Sequence, residues 1–494
     1  MEREETVMCA PPGHPERIAL RGWVTPGWVR VLFPLMSLAG AVSAQEVTAQ
    51  SSTFLRFLNE PVPRITRGDQ IQAIQFLGID ATGLQSDNLS LHLMGWGFGD
   101  LGRASRHEGT SDGDLSYGYL KYRFGKANAE VQAGRFTVAQ AGGFEWVDGV
   151  SGRADLRGGF TVSAFGGRPV WFRGLGEPNQ TDYQYQRDFI AGARVGKRFT
   201  GFGEVGMSFL QDGSKPASEL GLPSAYDYTR RRAGVDFRVL VPGGIDLTGR
   251  TVWDLAKRHD GVVNPGSDSR IAEHEYTASG RIGSMVGLQG EYVARNFRSY
   301  FAGTTLPTLF KPTETGTFKA YTGKVTVEAA ENLQVLVDYR HSSREVYGDA
   351  NRVGAEARWK VPSRNLATGF GVHRVSAADA VLPIDTGLAS LPGTKVAAFG
   401  LSHLELRAWG MLEKAPWSLS LDGLYHHFDD AKHPALAGRS YEYEVIASLG
   451  YQVSQAFRVA GDLSLGENPM YRHEAKGLLR IEYRFGTASK KEGK

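Results

Sequence analysis

Leu479-Arg480-Ile481-Glu482-Tyr483-Arg484-Phe485 alternates apolar and charged side chains without a break. Residues two apart share a face of an extended strand, so one face of this segment is hydrocarbon and the other carries full charges. The pattern recurs upstream. Trp417, Leu419, Leu421 and Tyr425 oppose Ser418, Ser420, Asp422 and His426, while Val353, Ala355, Ala357 and Trp359 oppose Arg352, Glu356, Arg358 and Lys360. Ala233, Val235, Phe237 and Val239 likewise oppose Arg232, Asp236 and Arg238. About twenty segments of roughly ten residues read this way. A sheet that is so extensive and so two-sided must meet lipid on one face and water on the other.

Bulk composition hides this. The chain has 494 residues, of which 41% are hydrophobic and 22% charged, with a mean hydropathy of −0.29. Only alternate residues of a membrane strand touch lipid, so the average stays polar. No stretch beyond the N-terminus approaches the roughly twenty apolar residues of a membrane helix. The 62 glycines and 11% aromatics suit a hairpin-rich, all-β chain, and a net charge of +3 gives no support to nucleic-acid binding.

The N-terminus reads as an export signal. Arg21 and Arg30 precede an apolar run over 31–42, then Val42 and Ala44 stand at −3 and −1 before Gln45. Cleavage is expected between Ala44 and Gln45, making residues 1–44 a signal peptide with an extended n-region and a translation start further downstream. The single cysteine, Cys9, lies in this leader. The expected mature chain thus has no disulfide, no thiolate metal site and no cysteine for haem attachment. Export without cysteine points to a bacterial envelope.

Connections between the alternating segments are by turns short and long. Those at 125–127, 242–243, 284–285, 329–331 and 413–416 are short; those at 168–187, 211–229, 256–272, 298–316 and 376–394 are long. Short periplasmic turns and long extracellular loops are the signature of an outer-membrane barrel. Both termini should lie at the periplasmic rim, which requires an even strand number. Segment 52–58 supplies the first strand. The expected fold is all-β, a single transmembrane antiparallel β-barrel of about 22 strands (20–24) over 45–486, followed by a charged periplasmic tail over 487–494. Closure satisfies every strand edge, as lipid demands.

Side-chain placement follows from the alternation. Arg232, Asp236, Arg238, Asp246, Arg250, Asp338, Arg352, Glu356, Arg358, Asp422, Asp462, Arg480, Glu482 and Arg484 are expected to face the lumen. Their mixed signs suit a cross-linked, hydrated wall better than a ring of one sign that would filter ions. Arg231, on the opposite face, is placed to snorkel toward a headgroup or lipopolysaccharide phosphate. Trp96, Tyr119, Tyr122, Trp146, Trp253, Trp359, Trp409, Tyr425, Tyr443 and Tyr451, near strand ends, are expected in the interfacial girdles.

Two local motifs carry less. Gly97-Phe98-Gly99-Asp100-Leu101-Gly102 matches a dinucleotide-site pattern, but the following 103–114 lacks the helical periodicity that such a site requires. His426, His427, Asp429, Asp430 and His433 cluster at a strand end, with ligand chemistry for Zn²⁺ or Cu²⁺ but the spacing of no defined site. The reading there is a solvated loop, with no metal, no cofactor and no catalytic constellation.

Tyr119-Leu120-Lys121-Tyr122-Arg123-Phe124, Gly134-Arg135-Phe136, Val147-Asp148-Gly149-Val150 and Phe165-Gly166-Gly167 run across consecutive hairpins. With the leader and the strand pattern, they resemble the porin-like outer-membrane proteins of Gram-negative bacteria. Within these the chain is similar to barrels of metal-reducing bacteria that sheath multihaem cytochromes in porin–cytochrome conduits. It departs from the porins in continuing past Phe485, and from some conduit barrels in lacking an N-terminal Cys-x-x-Cys. About 22 strands enclose a lumen too wide for the wall side chains to fill, and 45–51 are too few for a plug. The expectation is a non-enzymatic channel for small hydrophilic solutes or ions. The alternative is a sheath around multihaem c-type cytochromes, with all haems on the partner. In either case outer-membrane lipid, lipopolysaccharide and the barrel assembly machinery are the implied partners.

Overall fold

The computed structural model describes residues 46–59, 70–101, 111–140, 143–170, 187–214, 230–255, 271–296, 317–344, 348–378, 381–383, 395–397, 401–431, 436, 438–468 and 473–487. The expected signal peptide and most of the charged tail lie outside these residues.

Twenty-two strands form one antiparallel sheet. Each pairs with its chain neighbour, and the ring closes where the first strand, Glu46–Asn59, meets the last, Glu474–Thr487. That seam is in register from Val47 opposite Thr487 to Asn59 opposite Ala475. The first strand is longer than the expected 52–58 because Val47–Ser51 also pair on both sides, with Ala81–Leu77 and with the last strand.

Strand length follows from the solvent. The barrel strands run from 10 residues, in Ile245–Asp254, to 14, in Thr317–Ala330. At ~3.4 Å per residue and a tilt of about 40°, twelve residues rise about 30 Å, enough to cross hydrocarbon. Alternation taken unbroken over 395–411 would give a strand that overshoots that thickness. It divides instead: Lys395–Ala397 pairs with Val381–Pro383 in a separate ladder, and the barrel strand starts at His403.

The tight turns at 125–127, 157–159 and 362–364 lie at the rim that holds Glu46 and Thr487, and at the opposite rim Gln140 and Gly143 also pair across a link of only two residues. Gly125–Ala127 and Pro362–Arg364 are single 3-10 turns that end on Asn128 and Asn365 in the left-handed conformation. Asparagine is among the few non-glycine residues that adopt it readily, so these turns are written into the sequence. Dinucleotide-like Gly97–Asp100 belongs to the strand Leu89–Asp100, and the segment 103–114, without helical periodicity in sequence, gives its last four residues to the strand Ser111–Phe124.

The two faces of the sheet are sorted opposite to a water-soluble protein. Leu421 is 54% exposed and Leu449 50%, whereas the carboxylates of Asp338 and Glu405 are 12% and 19% exposed. A broad exposed apolar face has no stable place in water. On it, Phe237, Tyr276, Tyr292, Tyr321 and His341 form a continuous lateral row, with neighbouring ring centroids 4.9–6.5 Å apart. Nearer the tight-turn rim, Trp417 and Tyr451 meet at 4.5 Å and Tyr122 and Phe124 at 4.7 Å. These are two aromatic belts with aliphatic side chains between them.

Three aromatics expected in the belts fall on the opposite, charged face. Trp409 donates to Glu356 at 3.1 Å, Tyr119 stacks on His92 at 5.0 Å, and Trp96 is buried. Trp96 is opposite Phe76 in the register, and Phe54 meets Phe76 edge-on at 5.7 Å. One sector of the charged face is therefore apolar, a feature that strand-end position alone does not reveal.

Candidate functional site

The charged face is a lattice of ion pairs, many of them joining register neighbours. Arg238 Nη2 lies 2.6 Å from Asp246 and Arg407 Nη2 2.5 Å from Asp422. Arg250 bridges Glu273 at 3.1 Å and Glu275 at 2.9 Å. Other pairs reach past an intervening strand. Arg194, on Arg187–Phe199, donates to Asp236 on Arg230–Val241 at 2.6 Å, and also to Glu204 on the strand between them at 2.9 Å. Arg352 bonds Asp338 at 2.8 Å and, beyond the strand Leu366–Ala377, Glu405 at 3.0 Å. Reaching past a strand is easiest on the concave side of a curved sheet.

The fourteen charged residues singled out by alternation share this face. Glu356 takes two hydrogen bonds from Arg358, at 2.9 and 3.0 Å. Arg232 is buried, Arg480 lies 3.6 Å from Glu482, and Arg484 is exposed near the seam. Asp462 stands between Ser448 and Leu478 in the register. Sequence reasoning missed Arg194, Glu204, Glu273, Arg407 and Glu405, which close the lattice. Each sits at a charged position of an alternating segment, so extending the same parity count would have found them.

His373 was also missed. It is buried, with Nε2 3.0 Å from Asp338 and Nδ1 3.4 Å from Glu405. In the register His373 stands opposite Glu405, Glu405 opposite His426, and His426 opposite Glu442. Four successive strands thus contribute one row of alternating imidazole and carboxylate. Of the strand-end histidine cluster only His426 joins it. Asp429 instead pairs with Arg374, and His433 lies outside the described residues.

The hairpin motifs 134–136, 147–150 and 165–167 come together side by side. Gly134 is opposite Gly149, and Gly149 opposite Gly167. A Cβ on Gly149 would stand 2.1 Å from the Gly166 carbonyl oxygen, and one on Gly134 2.2 Å from that of Gly118. Only glycine admits backbones this close. Beside the ladder Phe136, Val147, Phe165, Ile190 and Leu210 pack into a buried cluster. Arg135 clamps Asp148 with two bonds, at 2.8 and 3.2 Å, and reaches Asp114 at 3.0 Å. These motifs thus form a packing corner of the barrel wall.

No protein-family model matches the chain, and no curated protein matches it. Solved structures do. The ferric enterobactin receptor of Pseudomonas aeruginosa aligns over 89% of this chain and 81% of its own, with a TM-score of 0.54 and 12% identity. A siderophore receptor of the same organism aligns over 88% and 80%, at TM-score 0.50 and 11% identity. The P pilus usher translocation pore aligns over 89% and 99%, at TM-score 0.43 and 10% identity. The likeness to the two receptors is one of fold: a closed 22-stranded antiparallel barrel of the outer-membrane type. With an apolar face that only lipid can cover, this fold places the protein in the bacterial outer membrane.

Proposed function

We propose that the charged face lines a water-filled lumen and that the barrel is a non-enzymatic channel for small hydrophilic solutes or ions. The observation that carries this reading is the lattice of arginines and carboxylates running from Arg194 to Glu482 round a 22-stranded ring. Charges of both signs, held by each other and partly exposed, form a rigid hydrated wall, with no single-sign ring among the described residues to exclude either ion. A ring of this size exceeds what wall side chains can fill. The tight-turn rim is assigned to the periplasm, and the longer connections to the cell exterior. Arg231 then lies where it can meet lipopolysaccharide phosphate. Residues 1–44 serve as the export signal cut after Ala44, and the barrel assembly machinery inserts the mature chain.

The test is conductance of the purified barrel in a planar bilayer. Steady openings that scale with salt concentration are expected. A barrel that stays silent and co-purifies with haem absorbance would overturn the channel in favour of a sheath for multihaem cytochromes.

A further inference from the structure

We infer that His403, Glu405 and His426 form a binding site for a divalent transition metal on the charged face, at the rim opposite the tight turns. One ligand atom from each lies within 4.8 Å of the others. The backbone brings them together by register: Glu405 is directly opposite His426, and His403 stands two residues before Glu405 on the same face. His403 is the first residue of its strand, and His426 lies two residues before the end of its own, Trp417–Phe428.

The outer contacts orient each ligand. His426 Nδ1 is bonded to Glu442 at 2.6 Å, which leaves Nε2 turned toward Glu405 Oε2, 3.7 Å away. His403 Nδ1 is bonded to the Leu401 carbonyl at 2.7 Å, so its Nε2 remains for coordination. Glu405 Oε1 is occupied by Arg352 at 3.0 Å, leaving Oε2 for the ion. Metal-bound histidines commonly donate the second ring nitrogen to a carboxylate or a backbone carbonyl, and both arrangements are present here. Two imidazoles and one carboxylate suit Zn²⁺ or Cu²⁺, with a fourth position open to water. Tetrahedral bonds of ~2.0–2.1 Å require ligand atoms about 3.3 Å apart, which small side-chain rotations from the present spacing supply.

Zinc chloride titrated into the purified full barrel in detergent, against a chromophoric chelator, tests the site. One Zn²⁺ per chain is expected, with affinity falling at least about tenfold in His403→Ala and in His426→Ala. His427→Ala, which alters an exposed histidine of the next position, should bind as the wild type does. Co²⁺ should give a visible absorption band that His403→Ala abolishes. Heat-modifiable gel migration checks folding; should His426→Ala fail to fold, His403→Ala decides, because its ring stands at the strand end, hydrogen-bonded to the Leu401 carbonyl and packed on His426 and Phe428 with no ion pair to a carboxylate among the described residues. Absence of binding, or equal binding by a folded double variant, would overturn the site. The lumenal position rests on the channel reading, but the binding does not. A silent barrel that still takes up one Zn²⁺ removes the channel and leaves the metal site.

Discussion

Ile481 stands opposite Thr53 on one side and Val459 on the other, on the apolar face of the strand that closes the ring. Replacing it by arginine sets a charge against hydrocarbon, at a cost of roughly 2–4 kcal/mol near the bilayer midplane. Ile481→Arg should therefore fail to reach the heat-modifiable, membrane-inserted form, whereas Ile481→Val should insert normally; fractionation and gel migration distinguish them. Normal insertion of the arginine variant would reverse the facing of the whole strand. At this scale the sequence is highly legible, because a two-residue period assigns a face to every side chain once one is known. It misleads where an aromatic near a strand end is assigned by its height and not by its parity, as with Trp409 and Trp96.

At the scale of an element, the register decides what alternation leaves open. The ladder Gly134–Gly149–Gly167 and the row His373–Glu405–His426–Glu442 each draw single residues from successive strands. Neither is visible without knowing which residue faces which, since a slip of one position dissolves both. The individual residues gave hints: glycines recurred in consecutive hairpins, and histidines gathered at a strand end. Only pairing shows that the glycines stand opposite one another and that His403, not His427, shares a face with Glu405 and His426. Gly149→Ala should lower stability by about 1–3 kcal/mol, because its Cβ would collide with the backbone of the next strand. Gly290→Ala has nothing within 4 Å of the new methyl and should stay within ~0.5 kcal/mol of the wild type. Urea or thermal unfolding in detergent measures both.

For the whole molecule, the even strand count and the closed ring were predictable from chain-end parity and from the penalty lipid places on open edges. What the lumen admits was not, because it depends on how charges at distant chain positions meet across strands, as Arg194 meets Asp236. Deleting 474–487 should abolish the folded, heat-modifiable barrel altogether, although every remaining strand keeps at least one neighbour; a folded species from that deletion would refute closure through this seam. The seam also has a consequence in time. Glu46–Asn59 finds one partner within a few dozen residues, but its other partner, Glu474–Thr487, is the last of the described barrel strands in chain order. Contacts of such sequence separation form late and slowly. A nascent chain must therefore be sheltered as an incomplete sheet, prone to self-association, until its final strand has left the ribosome. For this protein, export and the making of the barrel cannot overlap to completion: the first strand waits for the last.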